Sequence, residues 1–241
     1  MNDNDKLYRY LFQNRAVRGE WVRLNQTFSD TLNTHLYPKA VQNLLGEMMV
    51  ATNLLTATLK FSGNITLQIQ GNGPLKLALV NGTDDQKIRA LARLQGEIRE
   101  DMNLMEMVGK GVLVITIAPM EGERYQGVIS LDKPTVTECL EEYFARSEQL
   151  QTYLLIRTGE FNGEPVAAGM LLQVMPDGSG SPEDFEHLMT LTATVKDEEI
   201  FGLSAEELLY RLYHEETVEI FPPHKVQFYC GCSQERSRAA L

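Results

Sequence analysis

Two cysteines one residue apart, Cys230 and Cys232, lie in the run Phe228-Tyr229-Cys230-Gly231-Cys232-Ser233 of a 241-residue chain. They follow a β-favouring stretch from Lys225 to Tyr229. In an extended segment residues i and i+2 face the same way, so both sulfurs can meet one metal ion. Thiolates are soft donors suited to zinc. The same spacing can close a small disulfide ring, which is strained and easily reduced. Structural zinc takes four ligands, and no second Cys or His pair follows. The motif therefore reads as half of a metal site or as a redox pair.

Other candidates for chemistry are weaker. Cys139 stands on a predicted helix beside Leu140, Tyr143 and Phe144, where a lone thiol behaves as a small buried hydrophobe. His214 with Glu215 and Glu216 lacks the HExxH spacing of a helical zinc site and reads as a solvated helix end. Gly178-Ser179-Gly180 falls in a linker and not on the strand–helix turn of a nucleophile elbow. Gly71-Asn72-Gly73-Pro74 has no GK[ST] after it and suits a hairpin turn instead of a phosphate loop. These residues make no positive case for an enzyme.

Composition narrows the partners. With 43% hydrophobic residues in 241, the chain can bury a sizeable core. Lys and Arg total 22 against 33 Asp and Glu, a formal charge of −11. Such a surface repels phosphate backbones and argues against nucleic acid. No window resembles a membrane span or a signal peptide. Three cysteines do not make a secreted disulfide framework, so the expected setting is cytoplasmic.

The elements that must position the cysteines can be read in order. Helical spacing of Leu7 with Leu11 and Tyr8 with Phe12 predicts a short helix over Asp5–Phe12. Ala16–Leu24 reads as a strand, and Thr27 and Ser29 as the cap signal of a short helix ending at Leu32. Pro38 precedes a long helix, roughly Lys39–Thr58, whose methionines are core. Strands follow at Ile65–Gln70, Leu75–Val80, Ile88–Leu94, Val112–Ala118 and Tyr125–Leu131, with a helix at Asn103–Val108. Thr135 and Glu138 form a capping box for a helix to about Ser147, and Leu154–Arg157 and Met170–Met175 are strand-like. Pro176–Pro182 then punctuates the chain. Beyond it, Ser181 caps one helix, Asp197–Phe201 makes a short turn, and Ser204 with Glu207 opens another. Val218–Phe221 is extended, ahead of Pro222-Pro223. The fold class is α+β: a β-rich core domain with packed helices over residues 1–176, a helical linker domain over 177–224, and the start of a cysteine module over 225–241.

Several blocks together resemble the redox-regulated heat-shock chaperones, the 33-kDa chaperonin family. They are RYLFQNRAVRGE at Arg9–Glu20, VATNLLTATLKF at Val50–Phe61, LQIQGNGPLKLALVNG at Leu67–Gly82 and GERYQGV at Gly122–Val128. YFARSEQL at Tyr143–Leu150, GMLLQVMP at Gly169–Pro176, LYRLYHEE at Leu209–Glu216 and CGCSQER at Cys230–Arg236 continue the series. Their order along the whole chain carries the resemblance.

The resemblance implies a cytoplasmic, ATP-independent holdase for unfolded client proteins, acting as a homodimer. In such proteins a Cys-x-Cys and a later Cys-x-x-Cys bind zinc when reduced; oxidation forms disulfides, releases the metal and loosens the linker. Cys230 and Cys232 fall on the Cys-x-Cys. The sequence departs from the family in having no Cys-x-x-Cys. C-terminal truncation is the favoured explanation, with zinc absent or weakly bound and the switch unlocked. Exchange of linker helices between protomers could proceed through the hinge at Asp177–Ser181. Phe185, Leu188, Met189, Leu208, Leu209 and Leu212 are the expected client-binding face, against the simpler reading that they are the buried stripe of a permanently folded lobe. A thiol–disulfide oxidoreductase using Cys230 and Cys232 is the alternative function.

Overall fold

Two sheets enclose one helix. The computed structural model describes residues 3–60, 62–175 and 181–229. In chain order, β1 (Lys6–Phe12), β2 (Val17–Leu24), α1 (Gln26–Leu32) and α2 (Lys39–Ala57) come first. A meander follows: β3 (Gly63–Gly71), β4 (Leu75–Thr83), β5 (Lys87–Leu94), α3 (Leu104–Val108), β6 (Gly111–Pro119) and β7 (Tyr125–Ser130). Then come α4 (Val136–Ser147), β8 (Thr152–Phe161), β9 (Glu164–Val174), α5 (Pro182–Ala193), α6 (Asp197–Gly202) and α7 (Ala205–Tyr213). Three short strands complete the set: β10 (Val218–Ile220), β11 (His224–Lys225) and β12 (Gln227–Phe228).

The first sheet runs β10-β1-β2-β9-β8, with β11 also on β1; the second runs β12-β5-β4-β3-β6-β7. All these pairings are antiparallel except β12 beside β5. Strand burial separates the sheets. On β3 buried and part-buried residues alternate, the pattern of one covered face, whereas β2 is buried at seven of eight positions. The first sheet is therefore covered on both sides.

Helix α2 fills the space between the sheets. Leu45, Met48, Met49, Val50, Ala51 and Leu54 are all fully buried on it, as expected of a helix apolar around its circumference. Its methionines are core, and so is Cys139 on α4. On the far side of the first sheet, α5, α6 and α7 form a separate helical lobe over a second apolar cluster.

The N-terminal segment corrects the sequence reading. Lys6–Phe12 is strand β1, not a helix. Tyr8, Tyr10 and Phe12 point into the cluster beneath the lobe, while Leu7 points into the core around α2. Leu7 and Leu11 flank the exposed Arg9 on the second face, which blurs the two-residue period of a strand while helical spacing matches by coincidence. The cap of α1 also differs. Neither Thr27 nor Ser29 supplies it; the carboxylate of Asp5 accepts from the amides of Asn25, Gln26 and Thr27 at 2.9–3.1 Å. β8 and β9 are longer than their sequence signals because Asn162-Gly163, both at positive φ (54° and 82°), joins them in a tight hairpin.

Candidate functional site

Cys230 and Cys232 lie outside the described residues, which end at Tyr229. The segment leading to them is anchored: Val226 is buried in the main core and donates its amide to Asp5, and the Tyr229 amide donates to Ile88 on β5 at 2.9 Å. Among the described residues no group of three or more His, Cys, Asp or Glu could hold a metal ion. Two sulfurs supply half of the donors of a structural zinc site, so the donor set within these 241 residues does not fit a closed site. Among the described residues, too, no helix is long and apolar enough to cross a membrane.

The six apolar residues singled out on the linker helices do come together. Phe185 and Leu188 on α5, and Leu208, Leu209 and Leu212 on α7, are buried, with Met189 partly buried at the edge. They face Tyr8, Tyr10 and Phe12 of β1, Trp21 of β2, and Val166, Ala168, Met170 and Leu172 of β9. Ile200 and Phe201 of α6 fill the remaining corner. Leucine-sized side chains buried in this way each contribute about 1.5–3 kcal/mol.

The local sequence explains why the lobe is helical. Ser181 with Asp184, and Ser204 with Glu207, form reciprocal capping boxes at α5 and α7, and Pro182 stands at the first position of α5. Aromatic packing links lobe to sheet. The Tyr213 ring meets Phe12 edge-on at 4.9 Å and lies 6.2 Å from Tyr10. The Tyr213 and Thr192 hydroxyls are 2.6 Å apart, joining α7 to α5.

Three polar residues of the sheet domain hold the lobe at its rim. Arg15, in the β1–β2 turn, binds Glu216 through two nitrogens at 3.1 and 2.8 Å and also binds Asp184 in the first turn of α5. Glu216 and Asp184 hold the Arg15 guanidinium above its usual pKa even though burial works the other way. Arg23 donates from one nitrogen to the carbonyls of Phe201 and Leu203, at 2.9 and 2.8 Å. Burial lowers the pKa of this side chain. Asp3 accepts from the Ala205 amide at 3.0 Å and from the Tyr8 hydroxyl at 2.8 Å. Burial pushes the Asp3 carboxyl up, but hydrogen bonds from Ala205, Tyr8 and Lys6 outweigh it and hold the group below its ordinary range. Tyr8 is pushed up to about 12 by burial and by that carboxylate.

These clamps correct one expectation and supply what the sequence reading missed. Glu216 is not part of a solvated helix end: its side chain is 10% exposed and committed to Arg15, with His187 at 3.3 Å. Asp3, Arg15 and Arg23 carry no local signal of this role, since their partners on the lobe lie 169–202 positions away. Other atoms at the interface have no such partners. Trp21 Nε1 and Arg23 Nε are buried without a hydrogen bond, a cost of about 1–3 kcal/mol for such a group that water would relieve on opening. The docked state is thus held by apolar area, by these three clamps and by the more exposed ion pair of Arg157 on β8 with Asp197 on α6 at 3.2 Å, and opposed by orphaned donors.

A family model described as Hsp33 protein matches residues 5–241. The 33 kDa chaperonin of Actinobacillus succinogenes is 82% identical over 239 residues, covering 99% of this chain and 83% of that protein. That of Haemophilus influenzae strain Rd is 81% identical over 239 residues, with 99% and 82% covered. In three dimensions, the crystal structure of the Thermotoga maritima 33 kDa chaperonin superposes with a TM-score of 0.83 at 20% identity, over 98% of this chain and 84% of that one. The structural likeness shows the shared fold. The family match and the identities place the protein among heat-shock chaperones and not among enzymes, and the chain belongs to the Hsp33 family.

Proposed function

We propose that the protein is an ATP-independent holdase whose client surface is the outer face of the first sheet together with the apolar stripe of α5 and α7. The observation that carries this reading is the division of the interior into two clusters, one around α2 and one beneath the helical lobe. Undocking the lobe leaves the α2 core intact and uncovers both halves of the second cluster. On the sheet side these include Tyr8, Tyr10, Phe12, Trp21 and Met170; on the lobe side they include Phe185, Leu188, Met189, Leu208, Leu209 and Leu212. An apolar area of that kind, rimmed by charge, holds unfolded chains by area without a sequence code.

In this reading the chain divides at residues 176–177 and again at 224–225. The linker unit is the low-stability element, and the state of Cys230 and Cys232 biases its docking. The protein acts in the cytoplasm as a homodimer.

The test is suppression of aggregation of a denatured client without ATP, under reducing and oxidising conditions, by the wild type and by Leu188→Ala and Leu208→Ala. Truncating a fully buried leucine costs about 2–5 kcal/mol, here taken mostly from docking. Both variants should hold clients more strongly than the wild type under reduction while keeping the α2 core folded. Variants with a loosened lobe and no gain in holding would overturn the assignment of the surface.

A further inference from the structure

On the face of β2 turned away from the lobe, a cavity of about 410 Å³ opens between the first sheet and the end of α2. Four charged side chains line it: Arg9 of β1, Arg18 and Glu20 of β2, and Lys60 just past α2. Leu59 and Phe221 supply apolar wall. Glu20 is only 2% exposed, and its Oε2 has no hydrogen-bond partner. Arg18, two residues along the same strand, uses Nη2 on Gln173 and leaves its buried Nε without a partner. Arg9 stands directly opposite Glu20 in the ladder, but its Nη2 is 3.2 Å from the His224 ring. Two residues that each carry a buried, unpartnered polar atom, one an acceptor and one a donor, therefore line one cavity.

These two atoms call for opposite poles. Residues i and i+2 of a strand project to the same face about 6.7 Å apart, so one small molecule can meet both. The backbone carbonyls at the end of α2, which closes at Ala57 with Thr58 as its cap, add negative potential on the same side. A simple anion would answer Arg18 and Lys60 but meet the Glu20 carboxylate. A simple cation would answer Glu20 but meet Arg9, Arg18 and Lys60. We infer that the cavity binds a free apolar α-amino acid, with its ammonium toward Glu20 and the end of α2, its carboxylate toward Arg18 and Lys60, and its side chain on Leu59 and Phe221. An internal peptide segment lacks both poles, so this site is distinct from the client surface.

The charged groups lining the cavity with Glu20 are Arg9 from β1, Arg18 from β2 and Lys60 from beyond α2; Gln173 of β9 and Met175 just after it do not titrate. Burial raises the Glu20 carboxyl to about 7, against the pull of Arg18 and Arg9. Ammonium binding needs the ionised form, so affinity should rise with pH up to the folded pKa and level off above it.

The experiment is calorimetric titration of the 241-residue protein with L-leucine, 4-methylpentanoate and 3-methylbutylamine, from pH 6 to 8. Leucine should bind saturably and raise the melting temperature, while the analogues lacking the ammonium or the carboxylate bind at least tenfold more weakly. Amide NMR shifts on leucine addition should centre on β2, Thr58 and Phe221, which maps the site without any substitution. Glu20→Gln and Arg18→Gln, checked for folding by the same spectra, should each weaken leucine at least tenfold, and Glu20→Gln should remove the pH dependence. Equal binding of 4-methylpentanoate, shifts centred elsewhere, or no binding by any of the three would overturn the inference.

Discussion

Arg15 and Glu216, 201 positions apart, are joined by two charge-assisted hydrogen bonds that close the helical lobe onto the turn between the first two strands. Arg15 also holds Asp184, so one guanidinium ties down the start of α5 and the chain just after α7. Arg15→Met should remove about 1–3 kcal/mol from docking. Amide hydrogen exchange is the measurement: α5 and α7 should exchange faster while α2 keeps its protection. A double-mutant cycle with Glu216→Gln should show coupling, and additive effects would mean that the pair does not act as a clamp.

Asp3 offers a clamp that acid can release. Its folded pKa lies below the unfolded value because Ala205, Tyr8 and Lys6 outweigh burial. A depressed carboxyl contributes stability above the unfolded pKa and loses it as pH falls through the folded one. Lobe protection in the wild type should therefore weaken below about pH 4. Asp3→Asn should weaken it by about 1–3 kcal/mol at neutral pH and flatten that acid limb. Exchange of the Ala205 amide against pH is the direct readout.

Gly19 tests the fit of Tyr10 beneath the lobe. A Cβ at position 19 would lie 2.2 Å from the Tyr10 ring, and that ring packs against Phe12 and Tyr213. Gly19→Ala must displace Tyr10, at a cost of about 1–3 kcal/mol typical of overpacking. The variant should bind more of a hydrophobic dye and lose near-ultraviolet dichroism, with far-ultraviolet dichroism retained. An unchanged near-ultraviolet spectrum would show that the tyrosine is not held there.

Glu20 sets a pH dependence of opposite sign. Its carboxyl is raised to about 7 from 4.5 by burial. Between those values the folded state binds more protons than the unfolded one, so stability falls as pH rises through the window and the loss is complete above about 7. The shift corresponds to about 3 kcal/mol. Glu20→Gln should remove that slope and stabilise the ligand-free protein at pH 8 by up to about that amount. Denaturant unfolding at pH 5 and pH 8 compares the two proteins; equal slopes would place the titration elsewhere.

Local patterns survived translation into structure wherever the interaction itself is local. The capping boxes at Thr135 and Glu138, Ser181 and Asp184, and Ser204 and Glu207 each span three residues, and each begins a helix where the sequence reading put one. The all-round apolar character of α2 and the alternation on β3 likewise follow from short-range periods that report burial directly. Asn162-Gly163 is a strong turn signal that the strand reading at Leu154–Arg157 and Met170–Met175 passes over, because the flanking strands are buried on a two-faced sheet and show little alternation.

The Cys-x-Cys and the ordered blocks shared with the family were present in sequence alone, and so were the apolar stripes of α5 and α7. Tertiary structure decided what those stripes cover. A stripe's spacing shows that it must be buried but does not name its partner, and the partner is the outer face of β1, β2 and β9. β1 escapes the sequence pattern because Leu7 and Leu11 put apolar residues on the face opposite Tyr8, Tyr10 and Phe12, and so blur the two-residue period. The Arg15, Arg23 and Asp3 clamps and the Glu20 cavity depend on groups from distant parts of the chain meeting in a low-dielectric setting. The hydrogen bonds that make the Asp3 carboxylate a clamp, and the burial that brings Glu20 to titrate near neutrality, arise only when the whole chain has folded around these residues.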